Sequence, residues 1–357
     1  MQYSEDFSQS LLAWYWEHKR ALPWRDCGDP YKIWISEIML QQTRVDQAEP
    51  YYHRFIEKFP TVEDLANAEI HDVLMVWEGL GYYSRARNLH GASKMIVHNF
   101  NGEIPQTWEE ITQLKGIGPY TASAVLSIAF DKPYAVVDGN VIRVLTRYFG
   151  IEEDVRRNKV KNEIQKEANE LLSKEHPGDF NQALMELGAI ICTPHNPDCS
   201  NCPLQSDCMT YRSAAFDRIP YKSPAKKRPH HHIGVGIIRN ERNEVLIALR
   251  PEKAMLGNLW EFPGGKKEKG EKIEQTVRRE LKEELDVEVK VGPKLMDLKH
   301  AYSHFKITLH AFFCTMISGE PKPKTSQEIR WVSIRKLDQY PFPKANRSLV
   351  NKLSELD

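Results

Sequence analysis

The most restrictive feature of the sequence is a glycine-rich turn, Gly116-Ile117-Gly118-Pro119, which stands between two helical stretches. Glycine adopts positive φ readily and lets the backbone approach a ligand, whereas proline suits the first turn of a helix. The turn therefore predicts two helices joined by a hairpin, with backbone N–H groups that suit a phosphate anion. Because no strand precedes the glycines, a dinucleotide-binding fold is not indicated. An ordinary loop with two glycines is the alternative.

A second turn follows the helix that this hairpin starts. Residues 121–130 are small or apolar, and Val137-Asp138-Gly139-Asn140 comes shortly afterwards. Asp138 stands at the start of another predicted helix, where an aspartate commonly caps free N–H groups. Asp138 is therefore either a structural cap or a carboxylate placed for chemistry.

Periodicity divides the chain into two parts. Residues 7 to about 210 show helical apolar spacing and little β-branched alternation, which predicts an all-α domain. From Ile233 onward, strand-like alternation with one charged helix predicts an α+β domain. The stretch between them is rich in proline, basic residues and histidine, as exposed linkers are. The predicted domain limits are 1–216, 217–232 for the linker and 233–357, and helices are expected over 33–47, 65–77, 84–100, 154–172, 180–192 and 273–285.

Composition limits the classes of partner. A chain of 357 residues is long enough for two domains, and its formal net charge is zero. Any nucleic-acid surface must therefore be a local basic patch. No stretch approaches the roughly 18 apolar residues of a membrane span, and the polar N-terminus does not resemble a signal peptide. We therefore expect a cytoplasmic or nuclear protein with no membrane partner.

Four cysteines cluster as Cys192-x6-Cys199-x2-Cys202-x5-Cys208. In a reducing compartment, clustered cysteines favour metal binding over disulfides. Zinc sites usually contain two closely spaced cysteine pairs, and only one pair here is that close. Four thiolates on one loop can also surround an iron–sulfur cluster. The spacing is unusual for zinc and fits an iron–sulfur cluster, and the choice between the two also rests on the family resemblance described below.

Two carboxylates suit the cleavage of an acetal-like bond. Glu37 lies within the apolar run 33–40, where desolvation would raise its pKa and let it donate a proton at neutral pH. An exposed position on an amphipathic helix is the alternative. Asp138 would supply the second carboxylate, and such a pair cleaves glycosidic bonds through an oxocarbenium ion. Cleavage of an N-glycosidic bond to deoxyribose likewise needs one carboxyl group as a proton donor and one carboxylate as an anion.

The second domain contains an acidic helix in the pattern Gly265-x5-Glu271-x7-Arg279-Glu280-Leu281-x-Glu283-Glu284. Carboxylates three and four residues apart share one helical face. Such a group suits Mg²⁺ and pyrophosphate chemistry. A solvated acidic helix is the alternative.

These motifs together resemble the helix-hairpin-helix DNA glycosylases that carry an iron–sulfur cluster, and among them the MutY family. The hairpin, the turn at Asp138 and the cysteine spacing match the wider group. The run 36–43 is similar to the MutY catalytic helix, and Tyr120 stands where endonuclease III relatives carry a Schiff-base lysine. Phe262-Pro263-Gly264-Gly265 and the acidic pattern are similar to the Nudix-like domain of that family.

The resemblance implies a multi-domain fold, with an all-α helix-hairpin-helix glycosylase domain that holds the cluster and an α+β Nudix-like C-terminal domain. It implies a monofunctional base excision repair glycosylase that hydrolyses the N-glycosidic bond of adenine mispaired with 8-oxoguanine or guanine in duplex DNA. The product would be an abasic site. We also expect a [4Fe-4S] cluster, a monovalent cation at the hairpin, a monomer and a location at the bacterial nucleoid.

The resemblance also assigns roles to individual residues. The catalytic group comprises Glu37, Asp138, Tyr120 and Asn140. The DNA-binding group comprises Arg25, Gln41, Gln42, Tyr82, Gly116 and Gly118. The cluster ligands are Cys192, Cys199, Cys202 and Cys208. The lesion-reading loop is Tyr302-Ser303-His304, in which Tyr302 departs from the family's usual phenylalanine.

Three other functions stay open. A mismatch thymine glycosylase shares the helical domain and the tyrosine, although such enzymes usually lack the second domain. A nucleotide pyrophosphohydrolase would use the Nudix-like box, which lacks only its final glycine, replaced by Asp286. A lesion sensor without catalysis would not need both Glu37 and Asp138.

Overall fold

A computed structural model describes residues 2–224 and 227–356. The chain forms two compact units, of which the first contains Met1–Asn67 and Gly91–Ala225 and the second contains Ala68–His90 and Lys226–Asp357. The second unit thus includes a segment from the helical part of the sequence. Among the described residues, no helix is both long and apolar enough to cross a membrane.

The N-terminal part of the chain is helical, as the periodicity predicts. The helices are α1 Gln2–His18, α2 Pro30–Leu40, α3 Val45–Lys58, α4 Val62–Asn67, α5 Ile70–Trp77, α6 Ser84–Phe100, α7 Trp108–Ile111, α8 Pro119–Phe130, α9 Gly139–Phe149, α10 Asn158–Leu171, α11 Pro177–Ile190 and α12 Met209–Ser213. Short 3₁₀ turns cover Cys199–Asn201 and Gln205–Asp207.

Two predicted helices are interrupted. The helix expected over 33–47 ends at Leu40, because the chain leaves the helical conformation at Gln41 and Gln42 takes a positive φ of 58°. The helix expected over 65–77 is divided into α4 and α5. Both interruptions depend on backbone angles that apolar spacing does not report.

The core of the first unit explains where the helices lie. The apolar faces of α1, α9, α10 and α11 pack together, and α2 and α11 both contact α8. The buried side chains include Leu11, Tyr15, Leu145, Ile164 and Leu184. Apolar residues at helical spacing form such a face because burial removes them from water. This packing brings the ends of α2, α8, α9 and α11 to one side of the unit.

The second unit contains two sheets. The strands are β1 His230–Ile238, β2 Glu244–Leu249, β3 Trp260–Glu261, β4 Gly264–Lys266, β5 Glu288–Ala301, β6 Lys306–Ser318 and β7 Glu328–Ser333. One sheet has the order β4-β1-β6-β5, with β1 and β6 parallel, and the other has the antiparallel order β3-β2-β7. Helix α13, Ile273–Leu285, packs against β1, β4 and β5, and the chain continues through a 3₁₀ turn, Ile334–Gln339, to α14, Lys344–Ser354. The α+β prediction is confirmed.

Strand β5 is longer than the alternation predicts. The pattern indicates a strand over 287–291, whereas β5 continues to Ala301. The register shifts between Val291 and Lys294, where Gly292 and Pro293 interrupt the pattern. A bulge absorbs residues that cannot join the regular ladder, so the strand resumes beyond them.

Candidate active site

A cavity of about 540 Å³ opens in the first unit, where α2, α8, α9 and α11 meet. Its lining combines acidic, basic and phenolic side chains. The residues that carry this chemistry are Arg20, Arg25, Glu37, Tyr120, Asp138, Asn140, Arg143 and Glu186. The fold therefore brings Arg25 and the four predicted catalytic residues to one cavity, although they are far apart in sequence.

Glu37 lies on the buried face of α2, and its side chain borders the cavity. The residue is only 5% exposed, which excludes the alternative of a solvated helix face. Burial raises the pKa of Glu37 to about 7, against the opposing hydrogen bond from Tyr120, and the charge of Asp138 raises it further. The carboxyl group is therefore substantially protonated near neutral pH, as a general acid requires.

Tyr120 fixes one oxygen of that carboxyl group. Its hydroxyl donates to Oε2 of Glu37 at 3.2 Å and lies 3.8 Å from the sulfur of Met185. Burial raises the pKa of Tyr120 well above its usual value, and the nearby charges of Glu37 and Asp138 act in the same direction. The phenol therefore keeps its proton and acts as a donor, which orients Glu37 without accepting from it.

Asp138 is the N-cap of α9. Its Oδ1 accepts from the backbone N–H groups of Asn140 at 2.8 Å and Val141 at 2.7 Å. Its Oδ2 accepts from the side-chain amide of Asn140 at 2.9 Å. Burial raises the pKa of Asp138, while these donors oppose the rise by stabilising the anion. Asp138 therefore caps the helix and also presents a carboxylate to the cavity.

Asn140 connects Asp138 to the cysteine loop through Arg143. The Asn140 side-chain oxygen accepts from Nη2 of Arg143 at 2.8 Å. The same guanidinium donates from Nε to the carbonyl of Cys192 at 2.7 Å and from Nη2 to the carbonyl of Gly188 at 2.6 Å. Arg143 is thereby held in one orientation beside the cavity, and its charge favours the ionised form of Asp138.

Glu186 is a cavity residue that the sequence analysis missed. Its side chain is 1% exposed and accepts from Nε and Nη2 of Arg20 at 2.7 and 2.8 Å and from Nη2 of Arg25 at 2.7 Å. Burial alone would raise the pKa of Glu186, but these hydrogen bonds outweigh burial and hold it at about 2. Glu186 interrupts the apolar run of α11, which is the same signal that indicated Glu37.

The hairpin glycines have different backbone requirements. Ile117 is buried, whereas the glycines on both sides of it are exposed. Gly116 has a φ of +79°, which a side chain would strain. Gly118 is the N-cap of α8 with a φ of −97°, and a Cβ placed there would meet no atom within 4 Å. The backbone around Gly118 is thus open to a ligand.

The two predicted glutamines follow α2. Gln41 donates from its side-chain amide to the hydroxyl of Thr121 at 2.9 Å. Gln42 is exposed and has a positive φ. The contact of Gln41 ties the end of α2 to the start of α8, beside the hairpin.

The four clustered cysteines are free thiols around the two 3₁₀ turns of the first unit. Burial raises the pKa of Cys202 to about 12, and the charges of the other three thiols raise it further. Arg147 contacts two of the cysteines, since its Nη1 lies 3.4 Å from the sulfur of Cys192 and its carbonyl oxygen lies 3.5 Å from the sulfur of Cys208. Within residues 2–224 and 227–356, no group of three or more His, Cys, Asp or Glu side chains is already arranged to hold a metal ion. The donor chemistry, four soft thiols on one loop, fits a thiolate-bound cluster.

The predicted lesion-reading loop lies in the second unit, between β5 and β6. Tyr302 donates its backbone N–H to the carbonyl of Phe305 at 2.8 Å, and the two rings lie 4.9 Å apart. Burial raises the pKa of Tyr302. Ser303 and His304 are exposed, and the Ser303 hydroxyl lies 2.8 Å from that of Tyr82. The loop and Tyr82 therefore form one surface within this unit.

The acidic helix of the second unit is largely ion-paired. Arg279 donates to Glu271 at 2.8 Å, to Glu280 at 2.9 Å and to Glu283 at 3.1 Å. Burial raises the pKa of Glu284 to about 8, and its Oε2 accepts from the backbone N–H of Gly264 at 3.0 Å. The acidic helix is therefore only partly solvated, because Glu284 is half-buried and Arg279 pairs with three of the other carboxylates.

Comparisons with known proteins match both units. Residues 35–172 match the HhH-GPD superfamily base excision DNA repair protein family, and residues 234–352 match the NUDIX domain family. A thermostable thymine-DNA glycosylase of known structure is similar at 31% identity and a TM-score of 0.54, covering 59% of this chain and 97% of that protein.

Two curated relatives match most of the chain. The adenine DNA glycosylase of Rattus norvegicus is 33% identical over 92% of this chain and 74% of its own length. The adenine DNA glycosylase of Buchnera aphidicola subsp. Acyrthosiphon pisum is 31% identical over 98% of both chains. Similarity over this much of both proteins establishes membership: the chain belongs to the adenine DNA glycosylase family.

Proposed function

We propose that the protein is a monofunctional base excision repair glycosylase, which removes adenine paired with 8-oxoguanine or guanine in duplex DNA and leaves an abasic site. The observation that carries this proposal is the pairing of Glu37, with a pKa of about 7, and Asp138, held by three donors, in one cavity. Membership of the adenine DNA glycosylase family supports adenine as the base.

The chemistry begins with an adenine turned out of the duplex into the cavity. Glu37 donates its proton to a ring nitrogen of the adenine, and Tyr120 keeps the carboxyl group in the required orientation. The C1′–N9 bond then breaks, and its electron pair leaves with the protonated base. The Glu37 carboxylate next accepts a proton from the water that attacks C1′, which restores the acid.

Asp138 acts on the sugar rather than on the base. Departure of the adenine leaves positive charge on C1′ and the ring oxygen. A carboxylate placed beside that charge stabilises the transition state, and the fixed N–H donors keep Asp138 from moving away. Asn140 holds one Asp138 oxygen and is itself held by Arg143, so it acts as a positioning residue.

Glu186 organises the arginines beside the cavity. Its two oxygens already accept four hydrogen bonds from Arg20 and Arg25, and its side chain is 1% exposed. Glu186 therefore positions these arginines and does not itself contact the base. Arg25 lies in the same network and supplies donors to the acceptor nitrogens of the base or to phosphate.

Binding of duplex DNA is assigned to the hairpin and to the end of α2. The open backbone at Gly118 and the positive φ of Gly116 suit phosphate, and the hairpin would also hold a monovalent cation. Gln41, Gln42 and Tyr82 would act as wedges that fill the duplex near the lesion. The exposed Ser303 and His304, beside Tyr302, would read the 8-oxoguanine.

The four cysteines would hold a [4Fe-4S] cluster, which when bound ties the loop 192–208 together. Arg147 supports this assignment, because its Nη1 lies 3.4 Å from the sulfur of Cys192 and also donates to the carbonyl of Thr193 at 2.7 Å. We expect iron and sulfide in the purified protein and their loss in Cys199→Ser. The matched control is Cys27→Ser, since Cys27 lies outside the loop. Iron retained in full by Cys199→Ser would contradict the assignment.

The test of function uses a duplex with one 8-oxoguanine:adenine pair, treated with alkali after incubation. We expect cleavage at the adenine, lost by at least 100-fold in Glu37→Gln because general acid catalysis typically contributes about 10²–10⁴-fold. The control is Glu57→Gln, an exposed glutamate on α3. Strand cleavage without alkali would contradict a monofunctional enzyme.

A second duplex, with thymine opposite guanine, separates the proposal from its nearest rival. Cleavage at thymine but not at adenine would assign the protein to the thymine glycosylases. Inactivity on both duplexes, with hydrolysis of nucleoside triphosphates in Mg²⁺, would make the acidic helix the active site instead.

A further inference from the structure

The segment 68–90 forms hydrogen bonds with the C-terminal part of the second unit at several points along its length. The Nε2 atom of His71 lies 3.0 Å from the carbonyl oxygen of Gln339. The Tyr83 hydroxyl donates to the carbonyl of Phe342 at 3.1 Å, and Arg87 donates to the carbonyl of Gly257 at 2.9 Å. The segment therefore depends on residues that are more than 160 positions away.

The strongest of these contacts joins Glu78 to Arg347. Nε and Nη2 of Arg347 each donate to one oxygen of Glu78 at 2.8 Å. The same Glu78 accepts from the backbone N–H of Phe342 at 2.9 Å. Both side chains are largely buried, with 16% and 19% exposed. A two-pronged charged contact of this kind is directional and stronger than an exposed ion pair.

Arg347 is itself held from the other side. It donates to Asp338 at 2.7 Å and to the carbonyl of Tyr340 at 2.7 Å, and its guanidinium lies 5.2 Å from the centre of the Phe342 ring. The guanidinium therefore has one orientation, set by the end of the 3₁₀ turn and the start of α14. Glu78 is fixed by a prearranged partner.

Glu78 is followed directly by the turn that carries Tyr82. Gly79, Gly81 and Tyr82 all have positive φ, at 95°, 81° and 49°. A turn with such angles is costly for a residue like tyrosine, so it needs support from outside the turn. At the far end of the turn, the hydroxyl of Tyr82 lies 2.8 Å from the hydroxyl of Ser303.

We propose that Glu78 and Arg347 form a positioning pair, which fixes the turn 79–83 so that Tyr82 and Ser303 present one surface to the mispair. This inference rests on the proposed function. Neither residue lines the cavity that contains Glu37, so the pair acts through Tyr82 and not on the reacting atoms. Its loss should lower discrimination between 8-oxoguanine and guanine opposite adenine more than it lowers adenine removal itself.

The test uses the full chain with Arg347→Met, Arg347→Lys, Glu78→Gln and the combination of Arg347→Met with Glu78→Gln. Single-turnover rates of adenine removal are measured opposite 8-oxoguanine and opposite guanine. We expect the ratio of the two rates to fall about tenfold in Arg347→Met and in Glu78→Gln, which corresponds to one charged hydrogen-bonded pair. The ratio in Arg347→Lys should lie between those of the wild type and Arg347→Met. Lysine keeps the positive charge but cannot donate two parallel hydrogen bonds to Glu78.

Two further results follow if the residues act as one pair. The combined variant should be no worse than either single variant, since the same contact is lost in each. Amide hydrogen exchange of residues 79–83 and of Phe342 should rise together in Arg347→Met. Lys352→Met is the matched control, because Lys352 lies on the same helix, α14, and forms an exposed pair with Glu355.

Two outcomes would overturn the inference: a ratio that stays unchanged, whether or not both rates fall, or additive effects in the combined variant. A wild-type protein that removes no adenine would refute the proposed function instead. Hydrogen exchange would still decide in that case whether the pair holds the turn, and unchanged exchange at residues 79–83 would overturn the inference on its own.

Discussion

Glu37 illustrates how one residue can be favourable for chemistry and unfavourable for stability. Its folded pKa of about 7 lies above the usual value of 4.5 because the carboxyl group is buried. The proton is therefore bound more tightly in the folded protein than in the unfolded chain. A raised carboxyl pKa makes a favourable contribution to folding below pH 4.5, and this contribution is lost as the pH rises toward 7.

The first prediction concerns the pH dependence of adenine removal. Because Glu37 must be protonated to act, we expect the single-turnover rate to fall about tenfold for each pH unit above 7. The rate profile is measured between pH 5 and 9 with enzyme saturating the duplex. A rate that stays constant from pH 7 to pH 9 would show that Glu37 is not the acid.

The second prediction concerns stability at the same residue. Glu37→Gln removes a buried group that ionises at high pH, so the variant should be more stable than the wild type at pH 8 by up to about 3 kcal/mol. At pH 4.5 the two proteins should have similar stability. Urea unfolding at both pH values provides the measurement, and equal stability at pH 8 would contradict a buried Glu37 with a raised pKa.

The third prediction concerns Glu186, whose pKa is lowered to about 2, in the direction opposite to the shift of Glu37. Its contribution to folding is present above pH 4.5 and is lost as the pH falls toward 2. Glu186→Gln leaves Arg20 and Arg25 without a charged partner and should cost about 3 kcal/mol at pH 7. The control is Glu170→Gln, in an exposed pair with Lys166. Urea unfolding that shows similar losses in both variants would refute a special role for Glu186.

At the scale of elements, the two hairpin glycines have different requirements. Gly116 needs its positive φ, whereas Gly118 needs open space for a ligand. Gly116→Ala places a side chain at a φ of +79° and should cost about 1 kcal/mol of stability. Gly118→Ala has no such strain and an open position, so it should fold normally but bind duplex DNA less tightly. Urea unfolding and binding titrations measure the two effects, and normal DNA binding by a fully folded Gly118→Ala would remove that backbone from the interface.

The elements also show what sequence patterns can and cannot predict. Apolar spacing predicts the helices because each helix buries one face, and the apolar run around Glu37 predicts its burial. The break at Gln42 depends on one backbone angle, which spacing does not encode. Glu186 carries the same signal as Glu37, but its importance depends on Arg20, which is 166 residues away. Contacts across such distances appear only once the chain is folded.

At the scale of the whole molecule, the segment 68–90 is a part of the second unit that lies within the sequence of the first. No local pattern indicates this, because residues 70–77 form an ordinary apolar helix. The predicted domain limits follow the order of the sequence and do not account for this segment. We keep the limits 1–216, 217–232 and 233–357 as a proposal.

The final prediction concerns a truncated chain that ends at residue 224. Its segment 68–90 lacks the partners of Glu78, Tyr83 and Arg87, so limited proteolysis should cut there first. The full chain under the same conditions is the control. Equal resistance of the segment in both proteins would show that it folds without the C-terminal residues.

The division of the chain has a consequence for folding during synthesis. Residues 68–90 leave the ribosome before about 130 further residues of the first unit are made, and their partners, Gly257 to Arg347, come later still. At about 5–20 residues per second, the segment waits roughly 10–50 s for Arg347. During that time Val73, Leu74 and Trp77, which are buried in the finished protein, lack the final surroundings of their unit. The nascent chain thus has a defined interval in which a chaperone would recognise it.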